Sequence, residues 1–517
     1  LGGTGNDDIE IYEGNDVTFV GGPGVDVLRG DTNGNLDGTY VFSDGDNWTQ
    51  DVVENADATG STVRFDLGVG ATIDWADLPT QEAEVYEFVG GGATIEMSDS
   101  AQNVTAEFKG VDTIDAGGGD DEIRVFGNET IKILGGEGDD DLTGPDVPST
   151  LIGGPGDDKF DGGEGHDVIK GGDGIDSALG DLTSKNTIGE NVENLVGDFK
   201  DNNIVGQDVD NILDGGPGGN DVLTGRGGDD VLRADAGDRE LYGDSADVIS
   251  GGSGDDTVDF GRAFHSYSGG PLTGTNSDDG LVIDLRKENE EQPAENSHVI
   301  TNVENILGRS ENEKFTENSA QNTIKADSGD DVIQALADGG DEFYGGDGLN
   351  DWITYHLAAE GLTLDLKNPM QPHGDRVEGF ENLGGTPHDD DLLGDDGSNK
   401  IRLNGGADTV DGRADVDTLM FDKASRYLAV DLDAGTTGTG ADIVSIENVV
   451  GSDQSDTIVG DGGVNKLEGG KGADVVSGRG GDDTFFAGAG DDSLSGGAGQ
   501  DTVVYPTGLP FPPEEYA

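Results

Sequence analysis

Residues 451–504 read, in blocks of nine, GSDQSDTIV, GDGGVNKLE, GGKGADVVS, GRGGDDTFF, AGAGDDSLS and GGAGQDTVV. The six blocks follow one another without gap or insertion. In most blocks small residues fill the first, second and fourth places; an Asp or Asn fills the sixth place, and an apolar residue fills the eighth. Six blocks in one register are hard to obtain from composition alone, even in a chain with 92 glycines. The numbered places of this block are used below as place one to place nine.

The nine places divide into two parts with different physical properties. Glycine reaches positive φ and lets neighbouring backbones approach closely, so places one to six suit a tight turn whose carbonyls point inward. Places seven to nine alternate polar, apolar and polar, which is typical of a short strand with one side chain directed inward. Because one buried residue in nine makes a thin core, the units must stack on their neighbours.

The chemistry of the turn predicts the ion that it binds. The place-six carboxylate and the turn carbonyls offer only hard oxygen ligands, of which Ca²⁺ takes roughly six to eight. Calcium is therefore the expected ion, bound in multiple copies.

These blocks resemble the RTX family of secreted bacterial proteins, which carry calcium-binding nonapeptide repeats. The resemblance implies an all-β fold: a parallel β-roll or β-solenoid with longer-stranded degenerate coils between the repeat blocks. It also implies that two nonapeptides form one coil and that an ion sits between a turn and the turn two repeats on. The implied bridging pairs are Asp456 with Asp474, Asn465 with Asp483, Asp474 with Asp492, and Asp483 with Asp501.

Extending this register along the chain gives the candidate metal ligands, which share place six. They are Asp7, Asp26, Asp121, Asp140, Asp158, Asp167, Asp176, Asp221, Asp230, Asp256, Asp331, Asp390, Asp408, Asp417, Asp456, Asn465, Asp474, Asp483, Asp492 and Asp501. Ser149 occupies place six in one unit, which predicts one missing site. Place five varies between units, so we expect Asp482 to be nearly neutral to substitution.

A larger unit recurs between the repeat blocks. A strand ending in Asp-Leu (LVIDL from Leu281, LTLDL from Leu362, LAVDL from Leu428) is followed each time by a strand containing Glu-Asn. The degenerate segments therefore look like one reused cassette. The expected organisation is 1–29 repeats, 30–115 longer-stranded coils or a small β insertion, 116–259 β-roll, 260–307 cassette, 308–354 repeat-like, 355–384 cassette, 385–420 β-roll, 421–450 cassette, 451–505 β-roll and 506–517 a proline-rich extended tail. Because the chain opens inside a repeat without Met, we expect a fragment or a processed product.

Composition limits the remaining possibilities. Hydrophobic residues make up 32% and the net charge is -81, the usual signature of disorder, which we expect for the chain without calcium. With 28 basic against 109 acidic residues, binding to nucleic acid or an anionic membrane surface through charge is excluded. The chain has no cysteine for disulfides or thiolate metal sites, and no apolar run long enough to span a membrane.

Catalytic motifs are missing from the sequence. There is no GxSxG, no HExxH and no P-loop lysine, and nearly all Asp-Asp pairs fall at places five and six. We therefore predict no catalytic or organic-cofactor residues and no enzyme activity. Trp48, Trp75 and Trp352 lie in strand-like stretches, where packing between coils is favoured over a sugar-stacking platform.

Two functions remain. The first is a calcium-dependent extracellular structural protein, a surface-layer, filament or adhesin scaffold, that folds and rigidifies outside the bacterial cell. The alternative is the secretion and folding module of an RTX enzyme or toxin. Expected partners are calcium and either further copies of the chain or cell-surface molecules, carbohydrate among them, and the expected location is extracellular or at the cell surface.

Overall fold

The computed structural model describes part of the chain in full and part as backbone strands. Side chains and backbone are described for residues 93–97, 101–163, 167–179, 192–197, 200–216, 219–233, 247–260, 282–286, 299–310, 312–422, 424–486 and 488–504, and backbone strands alone within 8–88 and at 187–188. These residues form strands, turns and bends without a helix, and so none of them builds a helix long and apolar enough to cross a membrane. The expected tail at 506–517, Trp48 and Trp75 lie outside the described residues.

The chain divides into two compact units, Leu1–Asp256 and Thr257–Ala517. The division falls three residues before the boundary at 259 that the repeat pattern predicts.

In the first unit, alternate strands belong to different parallel sheets. One row is β2 (Val17–Val20), β4 (Gly38–Ser43), β6 (Thr62–Asp66), β8 (Val85–Phe88), β10 (Asn103–Lys109), β12 (Glu122–Phe126), β14 (Asp141–Thr143), β16 (Lys159–Asp161), β18 (Ser177–Leu179), β20 (Asn194–Val196), β22 (Ile212–Asp214) and β24 (Val231–Arg233). The other strands form three rows: β1 (Asp8–Glu10), β3 (Val27–Arg29) and β5 (Val52–Glu54); β7 (Thr72–Asp74), β9 (Ala93–Glu96), β11 (Val111–Asp115), β13 (Lys132–Leu134), β15 (Thr150–Pro155), β17 (Val168–Asp173) and β19 (Thr187–Ile188); β21 (Asn203–Val205), β23 (Val222–Gly227) and β25 (Val248–Ser253).

The second unit repeats this arrangement. One row is β26 (Thr257–Asp259), β29 (Asn305–Leu307), β31 (Thr323–Lys325), β33 (Glu342–Tyr344) and β36 (Arg376–Glu378). A second is β27 (Val282–Asp284), β30 (Lys314–Thr316), β32 (Val332–Gln334), β34 (Trp352–Thr354), β37 (Asn382–Gly384), β39 (Lys400–Arg402), β41 (Thr418–Met420), β45 (Asn448–Val450), β47 (Lys466–Glu468), β49 (Thr484–Phe486) and β51 (Thr502–Val504). A third is β35 (Thr363–Asp365), β38 (Asp391–Leu393), β40 (Thr409–Asp411), β44 (Asp442–Val444), β43 (Thr436–Thr437), β42 (Ala429–Asp431), β46 (Thr457–Val459), β48 (Val475–Gly480) and β50 (Ser493–Ala498); β28 is Val299–Thr301.

The register of these pairs confirms the β-roll. Thr457 pairs in parallel with Val475, and Lys466 pairs with Thr484, so each strand meets the strand two nonapeptides further on. Two nonapeptides therefore form one coil, and alternate units return to the same sheet. The strands of the degenerate segment 30–115 pair in the same parallel manner. Only some of them have the expected greater length: β4 has six residues and β10 has seven, whereas β5 and β7 have three.

Place-eight side chains from the facing sheets fill the interior of the roll. Leu142, Leu151, Phe160 and Ile169, from four successive units, are at most 1% exposed. The core is thus one side chain wide on each sheet and extends along the stack, because each unit contributes a single large apolar residue.

Segment 421–450 departs from the parallel pattern. In segment 421–450 the short strand β43 pairs antiparallel with β42 and with β44, so the chain makes a small excursion before the next repeat block. Trp352, in the repeat-like segment 308–354, is half-buried on the outer side of its strand, and the guanidinium carbon of Arg402 lies 4.3 Å from its ring centroid. The ring therefore packs between coils, against a cation.

Leu467 provides a test of the core. It is 0% exposed, whereas Val464 in the same nonapeptide is 65% exposed. We expect Leu467→Ala to lower the free energy of unfolding of the calcium-loaded chain by about 2–5 kcal/mol, because it removes buried methyl groups and leaves a cavity. Val464→Ala, the matched control at place five, should change it by less than about 0.5 kcal/mol. Denaturant unfolding in excess calcium measures both, and equal effects would contradict the predicted inward direction of place eight.

Candidate metal centre

The place-six carboxylates are stacked along the edges of the roll and hydrogen-bonded from coil to coil. The backbone N–H of Asp456 donates to Oδ1 of Asp474 at 2.7 Å, and that of Asp474 donates to Oδ1 of Asp492 at 3.0 Å. On the other edge, the N–H of Asp483 donates to Oδ1 of Asp501 at 3.1 Å. We call such a series a carboxylate ladder. In the first unit one ladder connects Asp121, Asp140, Asp158 and Asp176 in the same way.

The second oxygen of these carboxylates is buried and accepts no hydrogen bond from the described residues. This is the case for Oδ2 of Asp121, Asp140, Asp158, Asp176, Asp230, Asp331, Asp417, Asp474 and Asp483. Several of these oxygens face the place-one glycine of their own unit: a Cβ added to Gly135 would lie 2.1 Å from Oδ2 of Asp140. A buried carboxylate oxygen without a donor is costly, so these sites require a cation.

Backbone carbonyl oxygens complete the set of candidate calcium ligands. Gly136 at place two has φ +118°, and a Cβ there would lie 1.8 Å from the carbonyl oxygen of Gly117 in the previous coil. Gly138 at place four has φ +127° and would place a Cβ 2.3 Å from the carbonyl oxygen of Gly119. Only glycine fits at such contacts, and it brings the carbonyls of successive turns close together. Carboxylate and carbonyl oxygens in this combination suit Ca²⁺.

The stacking also changes the acidity of the ladder. Burial, with repulsion from Asp158 and Asp121, raises the pKa of Asp140 to about 7, although the N–H bond from Asp121 opposes the shift. The pKa of Asp408 is raised to about 7 for the same reasons, with Asp390 as the charged neighbour. In the absence of an ion, these carboxyls resist ionisation near neutral pH.

The similarity of the chain to a known repeat family agrees with these candidate calcium ligands. A family model for the RTX calcium-binding nonapeptide repeat (4 copies) matches residues 109–124, 149–178, 218–241, 243–263, 384–419, 446–476 and 468–503. The chain is an RTX-repeat protein. Its nonapeptides are calcium-binding repeats, so it binds several Ca²⁺ ions. No curated protein matches the chain.

The candidate ligands of this RTX-repeat protein occupy different environments. Asp121, Asp140, Asp158, Asp167, Asp176, Asp221, Asp230, Asp256, Asp331, Asp390, Asp408, Asp417, Asp456, Asn465, Asp474 and Asp483 are buried, whereas Asp492 is half-buried and Asp501 is exposed. Asp7 and Asp26 lie outside the described residues. Ser149 donates its N–H to Oδ1 of Asp167 at 2.7 Å but has no carboxylate to offer to the preceding coil.

Two of the candidate carboxylates are satisfied by a hydroxyl group. The N–H of Thr386 lies 2.7 Å from Oδ2 of Asp390, and the Thr386 hydroxyl lies 2.9 Å from Oδ1. Ser452 makes the same contacts to Asp456, at 2.7 Å from its N–H and 2.9 Å from its hydroxyl to Oδ2. Both hydroxyls stand at place two, where most units have glycine. These two turns therefore have protein donors where turns such as that of Asp474 have an open carboxylate oxygen.

Asparagine at place six gives a second closed arrangement. Oδ1 of Asn465 accepts the N–H of Asp461 at 3.0 Å, and its Nδ2 donates to the carbonyl of Glu447 at 2.8 Å. Asn399 repeats these bonds with Asp395 and Glu381. Both polar atoms of the Asn465 amide are thus engaged within the protein, which does not favour its expected role as a metal ligand. The expected pairing of Asn465 with Asp483 is present as a backbone hydrogen bond: the N–H of Asn465 donates to Oδ1 of Asp483 at 2.9 Å.

Three glutamates that the nine-residue pattern did not predict continue the ladder through the degenerate strands. Glu193, Glu381 and Glu447 each accept the N–H of a ladder Asp, from Asp176 at 2.9 Å, Asp351 at 3.0 Å and Asp417 at 2.9 Å respectively. The recurring Glu-Asn pair in the sequence could have indicated these residues. The longer side chain of its glutamate reaches the position that the Asp carboxylate holds elsewhere. The ladder positions Asp247, Asp341 and Asp351 were also missed, since insertions shift them from the nine-residue register.

Place five has a role that the sequence did not indicate. Oδ1 of Asp482 accepts the N–H of Gln500 at 2.8 Å, and Oδ1 of Asp139 accepts that of Asp157 at 2.9 Å. These bonds form a second, exposed series of contacts between coils. The expectation that Asp482 is nearly neutral is therefore corrected to a small contribution, about 0.5–1.5 kcal/mol for one such bond.

Asp483 and Asp482 form a matched pair for testing the ladder. We expect Asp483→Ala to raise the calcium midpoint of folding, the calcium concentration at half-maximal change, by about tenfold or more, because it removes a buried carboxylate that faces the turn. Asp482→Ala should raise it only slightly, through the loss of one exposed hydrogen bond. Calcium titrations followed by circular dichroism measure both midpoints, and equal midpoints for the two variants and the parent would refute the register.

The raised pKa values predict an unusual pH dependence of the calcium-free chain. A carboxyl with a folded pKa of about 7, such as Asp230 or Asp331, binds its proton more tightly than in the unfolded chain. Its contribution to stability is therefore present below the unfolded pKa of about 4 and is lost as the pH rises towards about 7. We expect β-structure in chelator to decrease between these values, and excess calcium to preserve it at pH 7. A β-sheet signal that rises with pH in chelator would contradict this.

Proposed function

We propose that this RTX-repeat protein is a calcium-dependent extracellular structural protein, a scaffold of surface-layer, filament or adhesin type. The observation that carries the proposal is the series of buried carboxylate oxygens without a hydrogen-bond donor, which recurs from coil to coil in the described residues of both units. Since each needs a cation, folding is coupled to calcium along the stack and not at one isolated site.

Calcium concentration then decides where the protein folds. With a net charge of -81, the ion-free chain repels itself, and the ladders place carboxylates of successive coils side by side. Extracellular calcium sites bind with dissociation constants of about 10⁻⁴ to 10⁻³ M, so they are empty in a cytosol and filled outside. RTX repeats are typical of secreted bacterial proteins, which supports an extracellular or cell-surface location.

The roles of the acidic residues favour a structural function over catalysis. The Asp-Asp pairs at places five and six accept backbone hydrogen bonds from neighbouring coils, as Asp139 and Asp140 do. Their chemistry is thus used to hold the stack and its ions. Trp352, considered for stacking on a sugar, already has its ring against Arg402, so we propose no carbohydrate site there.

The reused cassette favours a scaffold over a module that assists export. Glu381 and Glu447 continue the ladder through two cassettes, so that the degenerate segments extend the stack and do not interrupt it. A module that only folds to aid secretion of an enzyme or toxin, the alternative function, has no need of an array of this length. We further propose that calcium bridges the exposed acidic rows of neighbouring copies, which otherwise repel one another.

Sedimentation velocity and electron microscopy of the full chain test this function. In millimolar calcium we expect ordered, calcium-dependent assemblies, and in chelator an expanded monomer; magnesium at equal ionic strength is the control for screening. A strictly monomeric particle in calcium, with hydrolase activity in the same chain, would overturn both the scaffold and the non-catalytic role.

A further inference from the structure

Three acidic residues of the second unit converge at a turn of irregular length. Glu317 stands at place one of the unit ENSAQNTIK, where most units have glycine, and Asp338 and Asp341 lie in the turn between β32 and β33. One carboxylate oxygen of each lies within 4.8 Å of the other two. None of the three belongs to the place-six set predicted from the sequence.

Two of these carboxylates are buried and present an open oxygen to the cluster. Glu317 is 0% exposed and Asp341 is 1% exposed. Glu317 is anchored by Oε1, which accepts the N–H of Leu336, and Asp341 by Oδ1, which accepts the N–H of Asn322 at 2.8 Å. The other oxygens, Oε2 of Glu317 and Oδ2 of Asp341, accept no hydrogen bond from the described residues. Asp338 is exposed and closes the cluster on the solvent side.

The surroundings add negative charge. The N–H of Asp341 lies 3.3 Å from Oδ1 of Asp375, a further carboxylate. The nearby His373 is directed at that residue, with Nε2 3.0 Å from Oδ2 of Asp375, and Tyr355 donates its hydroxyl to the same oxygen at 3.1 Å. Burial, with repulsion from Asp341, raises the pKa of Glu317 to about 9. The cluster therefore needs either a proton or a cation to exist in the folded chain.

We propose that Glu317, Asp338 and Asp341 bind one Ca²⁺ ion in a carboxylate site that differs in composition from the nonapeptide turns. Three carboxylates within reach of one another supply hard oxygen ligands, and the exposed side next to Asp338 leaves room for the water ligands that calcium accepts. The regular turn cannot account for the cluster, because place six of the Glu317 unit is Asn322 and place one carries a side chain. The site is independent of whether the protein serves as a scaffold.

The experiment is hydrogen exchange of the full chain, measured by mass spectrometry along a calcium titration. Peptides covering residues 335–345 report on the cluster, and peptides from 451–504 report on the regular repeats within the same molecule. We expect Glu317→Gln, which keeps an acceptor for Leu336 but removes the charge, to raise the calcium midpoint at 335–345 about tenfold, since ligand charge sets calcium affinity. The midpoint at 451–504 should not change.

Two further variants make the result decisive. Asp338→Asn alters an exposed ligand, so it should fold normally and raise the same local midpoint. Asp347→Asn removes an exposed charge from the following turn and should leave the midpoint unchanged, which controls for general electrostatics. An unchanged midpoint at 335–345 in both Glu317→Gln and Asp338→Asn would overturn the site and identify Glu317 as a protonated acid. Equal shifts at 335–345 and 451–504 would also overturn it, since the effect would not be local. Magnesium alone producing the same protection would overturn the assignment to calcium.

Discussion

The structure depends on a carboxylate that is buried with only one of its oxygens satisfied. At place six, Oδ1 accepts a backbone N–H from the preceding coil, and this bond fixes one coil on the next. The same geometry turns Oδ2 towards a place-one glycine and away from any donor. Each coil thus gains a specific contact but keeps a buried carboxylate oxygen without a hydrogen-bond donor. Calcium binding compensates for this buried negative charge. Folding and ion binding are therefore one process in this chain.

The chain varies this arrangement in ways that determine which coils need an ion. A hydroxyl at place two closes the turns of Asp390 and Asp456, and asparagine at place six closes those of Asn399 and Asn465. In another unit, Arg309 at place two pairs with Glu313 at place six, with Nε 3.2 Å from Oε1, so the protein itself provides the cation. These five closed turns, those of Glu313, Asp390, Asn399, Asp456 and Asn465, stand in the first or second unit after a cassette, and protein groups satisfy their place-six side chains. We interpret them as coils that can order before the calcium-dependent turns that follow.

The hydrophobic contribution is narrow but continuous. Residues such as Leu151, Ile169 and Phe160 are buried by their neighbours along the stack and by the facing sheet, so no unit is stable alone. Backbone hydrogen bonds between coils, the place-five contacts and the ladder all act in the direction of the stack. Stability therefore grows with the number of ordered neighbours, which is the property that a long calcium-hardened scaffold requires.

Local sequence patterns are sufficient to predict the periodic part of this protein. The nine-residue spacing of Asp474, Asp483 and Asp492 sets the fold, the two-repeat coil, the buried place-eight residues and the ion, because each depends only on a local pattern repeated in register. The folded chain was needed to show which place-six carboxylates keep an oxygen without a hydrogen-bond donor, since this depends on the conformation of each turn as well as on the residues one coil away. It showed that Ser452 satisfies Asp456, that Glu447 continues the ladder, and that Glu317 meets Asp338 and Asp341 across neighbouring coils. The Ser452 contact lies within one turn and depends on the conformation of that turn. The contacts of Glu447 and Glu317 join residues of neighbouring coils across units of irregular length, and the length of an insertion does not show where its side chains come together.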